Sequence, residues 1–171
     1  MNIPEFVSAM RNRRQGASEQ ELSEFEALIG KGLPEEYRQF LAMANGGDVE
    51  DDKFFSGTDD AGITITGIGG LPELLENRED YQISEQRIPR ELLWIMHDAF
   101  SRAVCVGLTG PYRGKLYLWD SDDEPGPSWD GKVESAGNIM LLANSFTEFI
   151  ATLRPPPRQP RKSWWSGLFG H

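Results

Sequence analysis

The chain has 171 residues and a net charge of −10, enough length for one domain that buries roughly 68–70% of its unfolded surface without a metal or disulfide staple. Its one cysteine, Cys105, excludes an internal disulfide and suits a reducing compartment. All 27 acidic residues precede Arg154, against 13 of the 17 basic ones, leaving residues 1–153 at −14 and residues 154–171 at +4. A body this acidic disfavours nucleic acid, whose binding needs Lys and Arg to displace condensed counterions, and suits a basic protein partner or simple solubility. No apolar run approaches the ~20 residues of a membrane span, and the N-terminus lacks a cleavable apolar core. A cytoplasmic protein, monomeric when free, is expected.

In chain order, the spacing of Ile3, Phe6, Val7 and Met10 predicts a first helix over about 3–14, with Arg11, Arg13 and Arg14 at its negative dipole end. Ser18-Glu19-Gln20-Glu21 is a capping box that starts a second helix over about 19–29, where Leu22, Phe25 and Ile29 share one face. Gly30 and Gly32 break it before a third, about 34–45. Pro34 presets its first turn, Glu35 and Glu36 favour its positive end, and Tyr37, Phe40, Leu41 and Ala44 make its apolar stripe. Gly46, in Asn45-Gly46-Gly47, is suited to a left-handed helix end.

Residues 46–61 read as a polar loop holding at most one short edge strand, with Asp48, Glu50, Asp51, Asp52, Asp59 and Asp60 around Phe54-Phe55. Ile63-Thr64-Ile65-Thr66 is a β-branched strand, and Gly67-Ile68-Gly69-Gly70 is a tight turn into a helix near 72–80. Three alternating segments, around Leu92–His97, Ala103–Leu108 and Lys115–Trp119, form an antiparallel meander. Both their faces are largely apolar, so helices must cover part of each. Asp120 to Gly131 return to acid and turn residues, with a short strand near 132–135. Asn144 or Ser145 caps a final helix that buries Phe146, Phe149, Ile150 and Leu153. The domain spans 1–153. Residues 154–171 form a Pro-rich, basic, Trp-containing tail, too weakly charged and apolar for stable membrane anchoring alone.

No catalytic set assembles. His97-Asp98 with Ser101 invites a hydrolase reading, but adjacent strand residues point to opposite faces and no nucleophile elbow is present. Cys105 between Val104 and Val106 reads as a buried, inert thiol. Asp120-Ser121-Asp122-Asp123-Glu124 resembles a calcium loop superficially, yet Pro125 stands at the required glycine and Gly131 at the bidentate glutamate. One cysteine and two histidines do not close a zinc site, and Gly67-Ile68-Gly69-Gly70 lacks the Gly-Lys-Ser/Thr ending of a phosphate loop. No cofactor or metal is expected, and the chain reads as a binding module rather than an enzyme.

The ordered set Leu33-Pro34, Tyr37, Phe40-Leu41, Asn45-Gly46-Gly47, Ile88-Pro89, Gly114 to Asp120 and Ala143 to Ile150 resembles the SUKH superfamily, the Smi/Knr-type proteins, over roughly residues 18 to 153. It departs from that pattern at His97 to Ser101, where members commonly carry a glycine-rich turn. The resemblance implies a single α+β domain, an antiparallel or mixed sheet with helices packed around it. It also implies a bacterial immunity protein that occludes a cognate toxin, often a nuclease. The alternative it implies is a regulatory interaction hub of the fungal type, which would use the tail as much as the acidic face. For the first reading, the acidic loops supply the candidate partner-binding residues Asp51, Asp52, Asp59, Asp60, Asp120, Asp122, Asp123 and Glu124. Trp119 and Trp129 join them as aromatic anchors.

Overall fold

Why the meander needs cover on both faces is visible in a computed structural model. It describes residues 1–55, 62–99, 102–122, 124–126 and 128–154, with the backbone alone for 50–55. Seven strands form one antiparallel sheet whose spatial order follows the chain: β1 (Met10–Arg11), β2 (Gly47–Phe55), β3 (Ile63–Ile68), β4 (Leu92–Asp98), β5 (Ala103–Gly107), β6 (Leu116–Trp119) and β7 (Ile139–Ala143). The helices are α1 (Ile3–Ser8), α2 (Glu19–Ile29), α3 (Glu35–Met43), α4 (Leu71–Arg78) and α5 (Phe146–Thr152). This is the expected α+β class, with the sheet wholly antiparallel.

Period-two alternation divides the sheet between two cores. Leu93, Val104, Val106, Leu116 and Leu118 face the major core, which also holds the apolar stripes of the helices: Phe6, Leu22, Phe25, Tyr37, Phe40, Phe146 and Phe149. Leu92, Trp94, Ala103, Cys105, Tyr117 and Trp119 face a smaller aromatic core on the other side, joined by Ile88 and half-buried Tyr81. A shift of register between Trp94 and Met96 puts Ile95 and Met96 both into the major core. Among the described residues no full helix layer covers the aromatic core. A π-helical segment, Glu79–Ser84, continues α4, and Gln82 in it donates to the carbonyls of Pro89 (2.7 Å) and Leu92.

Several expectations are corrected. The first helix stops at Ser8, because Met10 and Arg11 pair with Val49 and Asp48 as an edge strand. The arginines then satisfy carbonyls individually: Arg13 Nη1 donates to Val7 O (3.1 Å) and Arg14 Nε to Asn45 O (2.6 Å). The acid-rich stretch after Asn45 is a nine-residue strand, since ladder hydrogen bonds to β3 outweigh its poor strand propensity. Residues 133–135 form a 3₁₀ turn, and the last strand is Ile139–Ala143 instead.

The Asn45-Gly46-Gly47 corner binds α3 to the start of α4. Tyr37 Oη donates to Gly69 O (3.4 Å), and Leu71 N–H donates to Asn45 Oδ1 (2.8 Å). Gly46 lies at φ +85°, and a methyl there would strike Arg14 and the Gly70 backbone. Gly46 is thus required for close approach, while α3 itself ends at extended Ala44.

Candidate interaction surface

Antiparallel pairing decides which loops meet. Phe55 pairs with Ile63, Ile65 with Asp98 and Ala103 with Trp119, while Trp119 also faces Ile139. The connections β2–β3, β4–β5 and β6–β7 therefore all leave the same end of the sheet. The acid-bearing strand β2 and the exit of β6 stand four strand spacings apart, roughly 19 Å.

The candidate residues divide by their surroundings. Asp51 and Asp52 lie on β2, with side chains outside the described residues; Asp59, Asp60 and Asp123 are outside them altogether. Asp120 is half-buried at the end of β6. Its N–H donates to Asn138 O (3.0 Å), its carbonyl accepts from Asn138 Nδ2 (2.7 Å), and its Oδ1 accepts from Asp122 N–H (3.0 Å). Asp122 is exposed and offers its charge to solvent.

Glu124 is exposed but ion-paired, whereas Trp119 faces inward. Glu124 pairs with Arg87, whose guanidinium lies 5.4 Å from the Tyr81 ring centroid and 5.2 Å from that of Trp119. The pairing, with Glu124 first and Glu85 second, raises the Arg87 pKa. Trp119 is 1% exposed, inside the aromatic core. It is no surface anchor: the alternation that puts Leu118 in the major core turns Trp119 into the other one. Trp129 is half-buried, with Nε1 donating to Lys132 O (3.1 Å) and Ser135 Oγ (2.9 Å). It lines two adjoining grooves of about 320 and 370 Å³ together with Gln86.

Asp98 is buried, accepts from Thr64 N–H (2.8 Å) and pairs with Arg102 (2.7 Å), pointing away from any role beside His97. Cys105 is fully buried, and burial pushes its thiol pKa up, away from the thiolate form. Among the described residues no group of three His, Cys, Asp or Glu side chains could hold a metal ion, and no helix is long and apolar enough to cross a membrane.

A polar cleft of about 240 Å³, which no single motif announces, is lined by Asn12, Arg14, Asp48, Glu73 and His97. Arg14 makes a two-pronged pair with Glu73, whose Oε2 also accepts from Gly70 N–H (3.1 Å). Burial pushes the Glu73 pKa up, but these donors outweigh it and leave the carboxyl lowered. Burial lowers the His97 pKa, against a smaller opposing pull from Glu73. The signals for this cleft were scattered over residues 12 to 97, with only the glycines marking a close approach.

Compared with known proteins, the sequence pattern of the SMI1 / KNR4 family (SUKH-1) matches residues 16–152. The chain belongs to this family. The SMI1 / KNR4 match takes in α2 through α5, and hence the strands β2 to β7 that carry the acidic connections. A curated relative, the SPbeta prophage-derived uncharacterized protein YokK of Bacillus subtilis (strain 168), is 26% identical over 164 residues, covering 84% of this chain and 78% of its own.

Proposed function

We propose that this SMI1 / KNR4 family protein is a non-enzymatic binding module, an immunity protein that neutralises a basic protein toxin by occlusion. One observation carries the reading: the β2–β3 and β6–β7 connections, whose sequences carry acidic residues, leave the same end of the sheet in a domain of net charge −14, where one partner could meet both. A separation of roughly 19 Å between the two exits fits within the ~800 Å² per partner of a standard interface. A prophage-derived relative fits a gene carried for conflict between cells. Asp51, Asp52, Asp120 and Asp122 would pair with Lys and Arg of a nuclease-like surface, Asp59, Asp60 and Asp123 adding charge to the same connections. Trp129 would supply an aromatic contact at the rim. The protein would act in the cytoplasm as a monomer, with stoichiometric binding as its whole mechanism.

The test pairs the purified full chain with basic protein domains encoded by the genes neighbouring its own, measuring Kd at 50 and 500 mM salt. Electrostatic occlusion predicts at least about tenfold weaker binding at high salt, and a similar loss for Asp51→Lys/Asp52→Lys and for Asp122→Lys at low salt. Binding that ignores both salt and charge reversal would overturn the reading.

A further inference from the structure

The two edges of the sheet are managed differently. β1 is two residues long, followed closely by Arg13 and Arg14, and so offers little for another strand to extend. β7 is five residues, Ile139-Met140-Leu141-Leu142-Ala143, with no charge, proline or glycine. Among the described residues its partner is β6 alone. Met140 and Leu141 are 42% and 49% exposed. The single irregularity is at Leu142, an extra residue between the Leu116–Ala143 and Tyr117–Leu141 pairs, so Ile139 to Leu141 keep regular register. An uncharged, regular edge with exposed apolar side chains and no further strand among the described residues, in a protein of net charge −10, is a feature that natural sheets ordinarily block.

The edge also has a direction. Ile139 follows Asn138, which holds Asp120 through two hydrogen bonds, so β7 begins beside Asp120 and Asp122 and runs away from them. We infer that the outer edge of β7 accepts an extended apolar strand of the basic partner, antiparallel, with Lys or Arg immediately C-terminal to that strand meeting Asp120 and Asp122. The inference rests on the reading that the acidic end meets a basic partner, and it names how that partner is gripped. Main-chain hydrogen bonds along Ile139 to Leu141 give the affinity. Met140 on the major-core side, and Leu141 beside Tyr117 on the other, give the apolar contacts. The acidic pair fixes polarity, because an antiparallel strand ends where β7 begins. Two copies pairing edge to edge would instead bring together two bodies of net charge −10.

The probe is a synthetic peptide of alternating threonine and valine ending in two lysines, compared with the same peptide carrying its lysines first and with one lacking them. Amide hydrogen exchange of the full chain is read at Ile139 to Ala143. The expected result is protection of these amides by about tenfold with the lysines-last peptide, clearly less with the other two, and loss of that preference in Asp122→Lys. Leu141→Lys, at an exposed position that leaves the fold intact, should weaken all three peptides. Protection with no regard to lysine position would overturn the inference, while the occlusion reading would still stand or fall by its own charge-reversal test. Protection of β7 in the free chain that rises with protein concentration would show a second copy on the edge; protection independent of concentration would show the chain covering its own edge. Either would overturn it.

Discussion

Trp119 shows how far a residue's neighbours decide its role. Its Nε1 is buried with no hydrogen-bond partner among the described residues, and its ring lies under Arg87 and against Tyr81 and Trp94. Trp119→Phe discards the unpaired donor and keeps most of the packing, so the expected cost is under about 1.5 kcal/mol. Trp119→Ala should cost about 3–5 kcal/mol through the cavity it leaves. Urea unfolding measures both, and partner affinity should be unchanged in the phenylalanine variant, since the side chain faces the core. His97 offers a second test. Its pKa is lowered by burial, so the unfolded chain takes up the proton more readily than the folded one. Stability should therefore fall as pH drops through the unfolded value of about 6.5, and His97→Gln should flatten that part of the curve. A urea series from pH 7.5 to 5 checks it.

At the scale of elements, the corner where Asn45-Gly46-Gly47 meets Gly69-Gly70 holds two halves of the fold together. A Cβ on Gly70 would overlap the Asn45 carbonyl and side-chain oxygen and crowd Arg14. Gly70→Ala should therefore destabilise by about 1–3 kcal/mol, from forced backbone movement, as a shift of the thermal midpoint reports. Capped, periodic elements were legible from the sequence: Ser18 and Glu21 close a capping box at α2, and Ser145 Oγ accepts from Glu148 N–H (3.1 Å) at α5. β2 was not, because its Asp-rich residues have low strand propensity and gain their conformation from pairing with Ile63 to Ile68. Nor was β7, where Ile-Met-Leu-Leu-Ala lacks period-two alternation and consists largely of good helix formers. The Arg14–Glu73 pair was equally hidden, since 59 residues separate its partners.

For the molecule as a whole, charge is what the sequence announces and topology is what gives it a location. Acidic stretches around residues 51 and 122 are far apart in the chain, and the hairpin order alone brings their strand ends to one side. Asp122 remains available there, whereas Glu124 is spent on Arg87. The charge-reversal series should accordingly rank Asp122→Lys well above Glu124→Gln in its effect on partner binding. Glu124→Gln should instead register as a change in Trp fluorescence as Arg87 loosens over Trp119.

A sheet whose spatial order repeats its chain order has a consequence for how the protein is made. Each strand pairs with the strand that follows it, and from β2 onward the connections are comparatively short, the longest being the one that holds α4 between β3 and β4. The longest connection is that between β1 and β2, which takes in α2 and α3. Loop closure therefore costs most at a joint two residues wide, and the rest of the sheet carries low contact order for a β-rich fold. A chain leaving the ribosome meets that joint first and completes it once β2 has been synthesised, with the N-terminal helix waiting for the sheet it will cover.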